Sequence, residues 1–267
     1  TGDVFFDVQS PFQRVRILES TKYGKMLALD DMVMTTIKDE FHYHEMISHP
    51  SLFSLPNAKN VLVIGGGDGG TVREVLRHSN IEKVTMVEID GEVIKACKEH
   101  LPEIAASFDD PRLELIVDDG IAFVQNAPDA VYDLLIVDGS DPVGPAEGLF
   151  SVDFYQNCYR TLKADGILVA QGESPKFNEK AFAELNQTLQ GIFGEQNAPV
   201  GLFFVPTYPT GMWSFQYGLK GAVDPRKVSN TDAIKAFVAE KGLRYYNEDI
   251  HFSTFALPNF VKQLIQK

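Results

Sequence analysis

Asp138 and Asp141 stand three residues apart in Asp138-Gly139-Ser140-Asp141-Pro142, directly behind the mostly apolar run Val131 to Val137. The run reads as a buried strand, and the glycine and proline after it forbid regular continuation. In open α/β sheets, ligands bind in the crevice beyond the strand C-termini. Two carboxylates there can hold a cationic substrate and take a proton from it.

Further acids recur at similar places. Gly65-Gly66-Gly67-Asp68-Gly69-Gly70 satisfies G-x-G-x-x-G through Gly65, Gly67 and Gly70, and Glu88 follows about 20 residues later, where it could accept from a ribose. Alone, that spacing fits nicotinamide enzymes, flavoproteins and S-adenosylmethionine-type enzymes alike. Asp68 narrows the choice. Its charge lies where a dinucleotide pyrophosphate would sit, and like charges in a dry cleft repel strongly. It would also repel the carboxylate of ordinary S-adenosylmethionine, but it would attract the bare ammonium arm of decarboxylated S-adenosylmethionine. With Asp119 after a third strand, the acids converge on one sheet edge. Carboxylates alone would suit Mg, but no phosphate-binding Lys or Arg accompanies them, so organic cations are expected and no metal. His44-Glu45 begins an H-E-x-x-H pattern that fails at Ser48, and His42, His44 and His49 are read as surface or core residues.

The elements that must position these residues follow from the patterning. The chain has 267 residues and a formal net charge of −13, which argues against nucleic-acid binding. Cys97 and Cys158 have neither metal spacing nor a disulfide framework, as in a reducing cytoplasm. No apolar run approaches a membrane span and no signal peptide is visible. The chain opens at Thr1 rather than Met, so residues are expected before it. Residues 1 to about 37 alternate apolar and polar between turns, as in a small antiparallel meander. A helix over Asp39 to Ser48 leads from it. From Lys59, strands at Val61–Ile64, Lys83–Ile89, Leu113–Val117, Tyr132–Val137 and Gly166–Gln171 alternate with helices at Thr71–His78, Glu92–His100 and Ser151–Leu162. That alternation predicts a Rossmann-like, doubly wound parallel sheet. A helix over Asn178–Phe193, a hairpin of Gly201–Val205 and Met212–Leu219, and helices at Thr231–Glu240 and Phe260–Gln266 complete it. The expected domains are 1–50, a β-meander with its linking helix, and 51–267, the catalytic domain.

The sequence resembles the spermidine synthase family, the polyamine aminopropyltransferases. The resemblance rests on Ser10-Pro11-Phe12-Gln13, Tyr23 to Asp30, Asp39 to Met46, Gly65 to Gly70, Val87 to Asp90, Asp118-Asp119-Gly120, Asp138 to Phe150, Pro206 to Trp213 and Phe255 to Pro258. It implies a methyltransferase-like sheet with an N-terminal β-meander that helps form a homodimer or homotetramer. Gln13 and Glu88 would hold the ribose end of the nucleoside, and Asp119, Gly120 and Pro145 would frame its adenine. Asp68 would bind the aminopropyl ammonium. Asp138 would be the base, with Tyr43, His44, Asp141 and Tyr208 lining the amine channel. Two departures bear on amine selection: Met34 stands where many members have Gln, and the chain begins after a strand that members usually carry.

The implied reaction is in-line displacement, in which a neutral amine attacks the carbon beside the sulfonium and methylthioadenosine departs. Decarboxylated S-adenosylmethionine is then a co-substrate and no cofactor is needed. Asp138 would take the proton, Asp141 would hold the distal ammonium, and Tyr43 would orient the lone pair. Putrescine is the expected acceptor, giving spermidine. Alternatives are agmatine, cadaverine or spermidine as acceptor, an amine N-methyltransferase, or an inactive polyamine-binding protein.

Overall fold

The computed structural model describes residues 2–140 and 148–266. Strands β1 (Val4–Gln9), β2 (Arg14–Ser20), β3 (Gly24–Leu29) and β4 (Met32–Thr36) form the expected meander, antiparallel in chain order. Leu29 pairs with Met32, so Asp30 and Asp31 make a two-residue turn, and both have positive φ (46° and 69°). That is the turn whose twist suits a hairpin, and Asp tolerates it. Val15, Ile17 and Leu27 point inward and share one apolar core with the larger sheet. The meander therefore stands on the rest of the chain.

Helix α1 (Glu40–Ser54) leads from one sheet to the other and runs six residues past the expected end at Ser48, straight through Pro50. Proline inside a helix costs about 3 kcal/mol. Here α1 buries Tyr43, Met46, Ile47 and Leu52, each contributing roughly 1.5–3 kcal/mol. Burial outweighs the broken backbone bond, and the helix continues.

The second sheet has seven strands in the order β10-β11-β9-β8-β5-β6-β7. Its parallel strands are β5 (Asn60–Gly65), β6 (Lys83–Glu88), β7 (Leu113–Val117), β8 (Tyr132–Asp138) and β9 (Leu162–Gln171). β5, β6, β8 and β9 are rich in Val, Leu and Ile because helices cover both faces. Those helices are α2 (Gly70–Leu76), α3 (Gly91–His100), α4 (Gly120–Asn126), α5 (Val152–Thr161) and α6 (Glu179–Phe193). β10 (Val200–Phe204) and β11 (Met212–Leu219) add the antiparallel edge, and α7 (Thr231–Lys241), α8 (Glu248–Ser253) and α9 (Asn259–Ile265) follow. Sequence patterning missed α4 and α8 and began β9 four residues late. Both helices are under two full turns, too short for a periodic apolar stripe. Their signals are local caps instead: Asp119 accepts from the amides of Ile121 and Ala122, and Asn247 from those of Asp249 and Ile250.

Candidate active site

β5 pairs with β6 on one side and β8 on the other, so successive connections leave the sheet in opposite directions at β5. This is the topological switch point, where a crevice must open. Gly65 ends β5 and pairs with Asp138 at the end of β8. Its φ is +81°, and a Cβ there would lie 2.2 Å from the Asp138 carbonyl oxygen. Only glycine fits, and the Gly66 amide then donates to that carbonyl at 2.9 Å. The glycine loop is thus bolted to the backbone of the acid it faces.

A cavity of about 430 Å³ opens at this point, within the range of small-ligand sites. Gln13, Tyr43, His44, Asp68, Glu88, Asp119, Gly120, Asp138 and Tyr208 all line it. Asp141 and Pro145, the other two expected site residues, lie outside the described residues. Among the described residues, the lining contains no Lys or Arg.

Asp138 is held at both oxygens: Tyr43 Oη donates to Oδ1 at 2.7 Å and Thr71 Oγ1 to Oδ2 at 2.6 Å. Burial and the neighbouring Asp68 raise its pKa, while His44, Thr71 and Tyr43 oppose the rise. Tyr43 stays neutral, its own pKa driven up by burial and by Asp138. Asp68 Oδ1 accepts from the Gly70 amide at 2.8 Å, and Oδ2 lies 3.2 Å from His44 Nε2. Burial alone would raise the Asp68 pKa, but His44 holds it low.

At the other end, burial pushes Glu88 up to about 7, helped by Asp90 and Asp138. Its Oε1 accepts from the Asp90 amide at 2.9 Å. Asp90 Oδ2 accepts from Ser10 Oγ at 2.7 Å and Gln13 Nε2 at 3.1 Å. The N-terminal sheet is thereby pinned to the end of β6. Asp119, already the cap of α4, stands beside Gly120 on the same wall. Tyr208 donates to the Met34 carbonyl at 2.7 Å. Its loop is anchored where Asp39 Oδ2 accepts from both the amide and hydroxyl of Thr207.

Patterning missed Thr71, Glu40, Arg73 and Asp90. Thr71 opens α2 directly behind the glycine loop, and Asp90 follows Glu88 by two residues, so adjacency was their only signal. Of the three clustered histidines, His44 alone lines the cavity. His42 Nδ1 meets the Phe204 carbonyl at 2.8 Å, and His49 lies buried between Glu74 and His78.

Comparisons with known proteins identify the family. A spermine/spermidine synthase domain matches residues 40–226, and a spermidine synthase tetramerisation domain matches residues 2–36. The chain belongs to the spermine/spermidine synthase family. As a member, it is an aminopropyl-transferring enzyme, a transferase of alkyl groups other than methyl. It is similar to the polyamine aminopropyltransferase of Moorella thermoacetica, 47% identical over 97% of this chain and 88% of the relative. That of Clostridioides difficile is 46% identical over 98% of this chain and 92% of its own. A spermidine synthase crystallised with the transition-state analogue AdoDATO superposes with a TM-score of 0.94, at 42% identity, covering 98% of this chain and 88% of that one. The spermidine synthase of Thermotoga maritima gives 0.92, also at 42% identity, covering 98% and 87%. No helix among the described residues is long and apolar enough to cross a membrane.

Proposed function

We propose that this cavity joins decarboxylated S-adenosylmethionine to putrescine, giving spermidine and methylthioadenosine. The observation that carries the reading is a lining with six carboxylates, Asp39, Glu40, Asp68, Glu88, Asp119 and Asp138, and no Lys or Arg among the described residues. Such a pocket suits two cationic substrates and repels anionic ones.

The nucleoside would lie between Gln13, Glu88, Asp119 and Gly120, with its ammonium arm on Asp68 and the amine between Asp138 and Tyr208. By the family resemblance, Pro145 would join the nucleoside half and Asp141 the amine half. In the transfer, the amine nitrogen forms a bond to the aminopropyl carbon. The carbon–sulfur bond breaks, and its electron pair neutralises the sulfonium. The proton leaves the attacking nitrogen for Asp138. An alkylamine has a pKa of roughly 10, as in lysine, so it must shed that proton to attack at neutral pH. Thr71 and Tyr43 aim the accepting carboxylate, and alignment of two held substrates contributes much of the remaining rate.

Val4, Phe5, Phe12 and Met32 are exposed on or beside the N-terminal sheet, and with its domain match this supports assembly as a homo-oligomer. Two buried free thiols, Cys97 and Cys158, suit a reducing cytoplasm. The acceptor is tested by mass spectrometry with putrescine, cadaverine, agmatine and spermidine in competition. With the donor's aminopropyl group isotopically labelled, labelled spermidine should dominate the products; preference for any other acceptor would overturn putrescine.

A further inference from the structure

Between the cavity and the protein interior lies a chain of alternating charges, Asp68, His44, Glu40 and Arg73, of which the proposed transfer uses only Asp68 directly. The side chain of His44 is only 3% exposed. Its Nδ1 lies 2.6 Å from Glu40 Oε2 and its Nε2 3.2 Å from Asp68 Oδ2. A neutral imidazole has one donor and one acceptor nitrogen, whereas an ionised carboxylate only accepts. One of these two contacts would then set acceptor against acceptor, unless a carboxylate or the imidazole carries an extra proton.

The surroundings decide which. Glu40 Oε2 also accepts from an Arg73 guanidinium nitrogen at 2.7 Å, and Asp68 Oδ1 from the Gly70 amide at 2.8 Å. Both bonds favour the ionised carboxylates, so the extra proton belongs on His44. Arg73 is itself fixed, because its Nε donates to Glu74 Oε1 at 2.9 Å. The ring has little room to turn away: a Cβ at Gly70 would lie 2.3 Å from it, and Tyr43 packs edge-on with centroids 5.5 Å apart.

We propose that Glu40, clamped by Arg73, is a positioning residue that holds His44 as an imidazolium and so keeps Asp68 and Asp138 ionised for the incoming amines. The role in catalysis rests on the aminopropyl-transfer reading; the charge on His44 does not. The groups facing His44 are Glu40 and Tyr43 from α1, Asp68 from the loop after β5, and Asp138 from β8, with Arg73 of α2 reaching it through Glu40. Without a positive charge among them, Asp68 and Asp138 would face each other unshielded, and one would hold a proton near neutrality. A protonated Asp138 cannot act as base. Despite burial, which disfavours the charge, Asp68 and Glu40 raise the His44 pKa to about 10, in line with the geometry.

The test combines nitrogen NMR of the histidine side chains in the intact protein with the pH dependence of kcat/KM. The His44 signals are assigned by their loss in His44→Gln. In the parent, both His44 nitrogens should stay protonated from pH 6 to 8.5. In Glu40→Gln, His44 should titrate within that range, and the acid limb of kcat/KM should move up by about one pH unit or more. Glu40→Asp should recover part of the shift. A parent His44 that titrates near its ordinary value overturns the proposal, and this measurement needs no variant to fold except for assignment. So does a Glu40→Gln enzyme whose melting temperature and kcat fall while the acid limb stays put. If the parent transfers no aminopropyl group, the functional reading falls, while the NMR result still stands for or against the imidazolium.

Discussion

The two ends of the cavity hold their acids in different ways. At the end proposed for the nucleoside, Glu88 and Asp119 are steadied by amides two or three residues away, those of Asp90, Ile121 and Ala122. At the amine end, Asp138 is held by Thr71 and Tyr43, which lie 67 and 95 residues away in sequence. On the proposed reading, local contacts suffice where a neutral ribose and base would be recognised. Where charge and a proton would have to be controlled, partners come from several elements, because burial, neighbouring charges and hydrogen bonds together set a carboxylate's ionisation. The nucleoside end should accordingly tolerate damage at the amine end, and the reverse should also hold.

The sharpest way to break that separation is Asp138→Asn. Transfer should fall about 10²–10⁴-fold, the usual worth of a general base, while methylthioadenosine binds nearly as before in calorimetry. Unchanged turnover would remove Asp138 as base. Next in size, Asp68→Asn should weaken decarboxylated S-adenosylmethionine about 10- to 100-fold, the value of a charged hydrogen bond, with little effect on methylthioadenosine. Equal losses for both ligands would place Asp68 outside the ammonium site. Thr71→Val should lower kcat about five- to tenfold, one hydrogen bond to the base, and leave the KM for the nucleoside alone.

The smallest effect lies at Glu88. Its folded pKa of about 7 exceeds the ordinary carboxylate value, so the folded protein binds this proton more tightly than the unfolded chain does. Its contribution therefore weakens folding as pH rises from about 4.5 to about 7. Urea unfolding at pH 5 and pH 8 should show Glu88→Gln gaining on the parent at the higher pH, by at most about 3 kcal/mol. Ribose hydroxyls donate to the ionised form, so methylthioadenosine should bind the parent more tightly at pH 8 than at pH 6. A flat comparison on both counts would show that Glu88 is not a buried acid at a ribose site.

The same local–distant contrast explains what was legible in the sequence. Leu113–Val117 and Met212–Leu219 form strands with the expected bounds, since a short apolar or alternating run is a local pattern. Asp68, Glu88, Asp119 and Asp138 were identifiable because each follows a strand of one sheet, and topology carries strand ends to one crevice. Glu40 was not, since nothing near it in sequence announces Arg73 or the second nitrogen of His44. Asp90 was hidden for the same reason, with Ser10 80 residues away. The passage of α1 through Pro50 was also invisible, because a local rule was overridden by burial on all sides.

The central claim is that Asp68 and its acidic neighbours select the decarboxylated nucleoside and pass its aminopropyl arm to a diamine. It is tested most directly by supplying the enzyme with putrescine and either ordinary or decarboxylated S-adenosylmethionine, and weighing the products by mass spectrometry. Spermidine and methylthioadenosine should form from the decarboxylated compound alone. A methylated putrescine arising from ordinary S-adenosylmethionine would contradict the account.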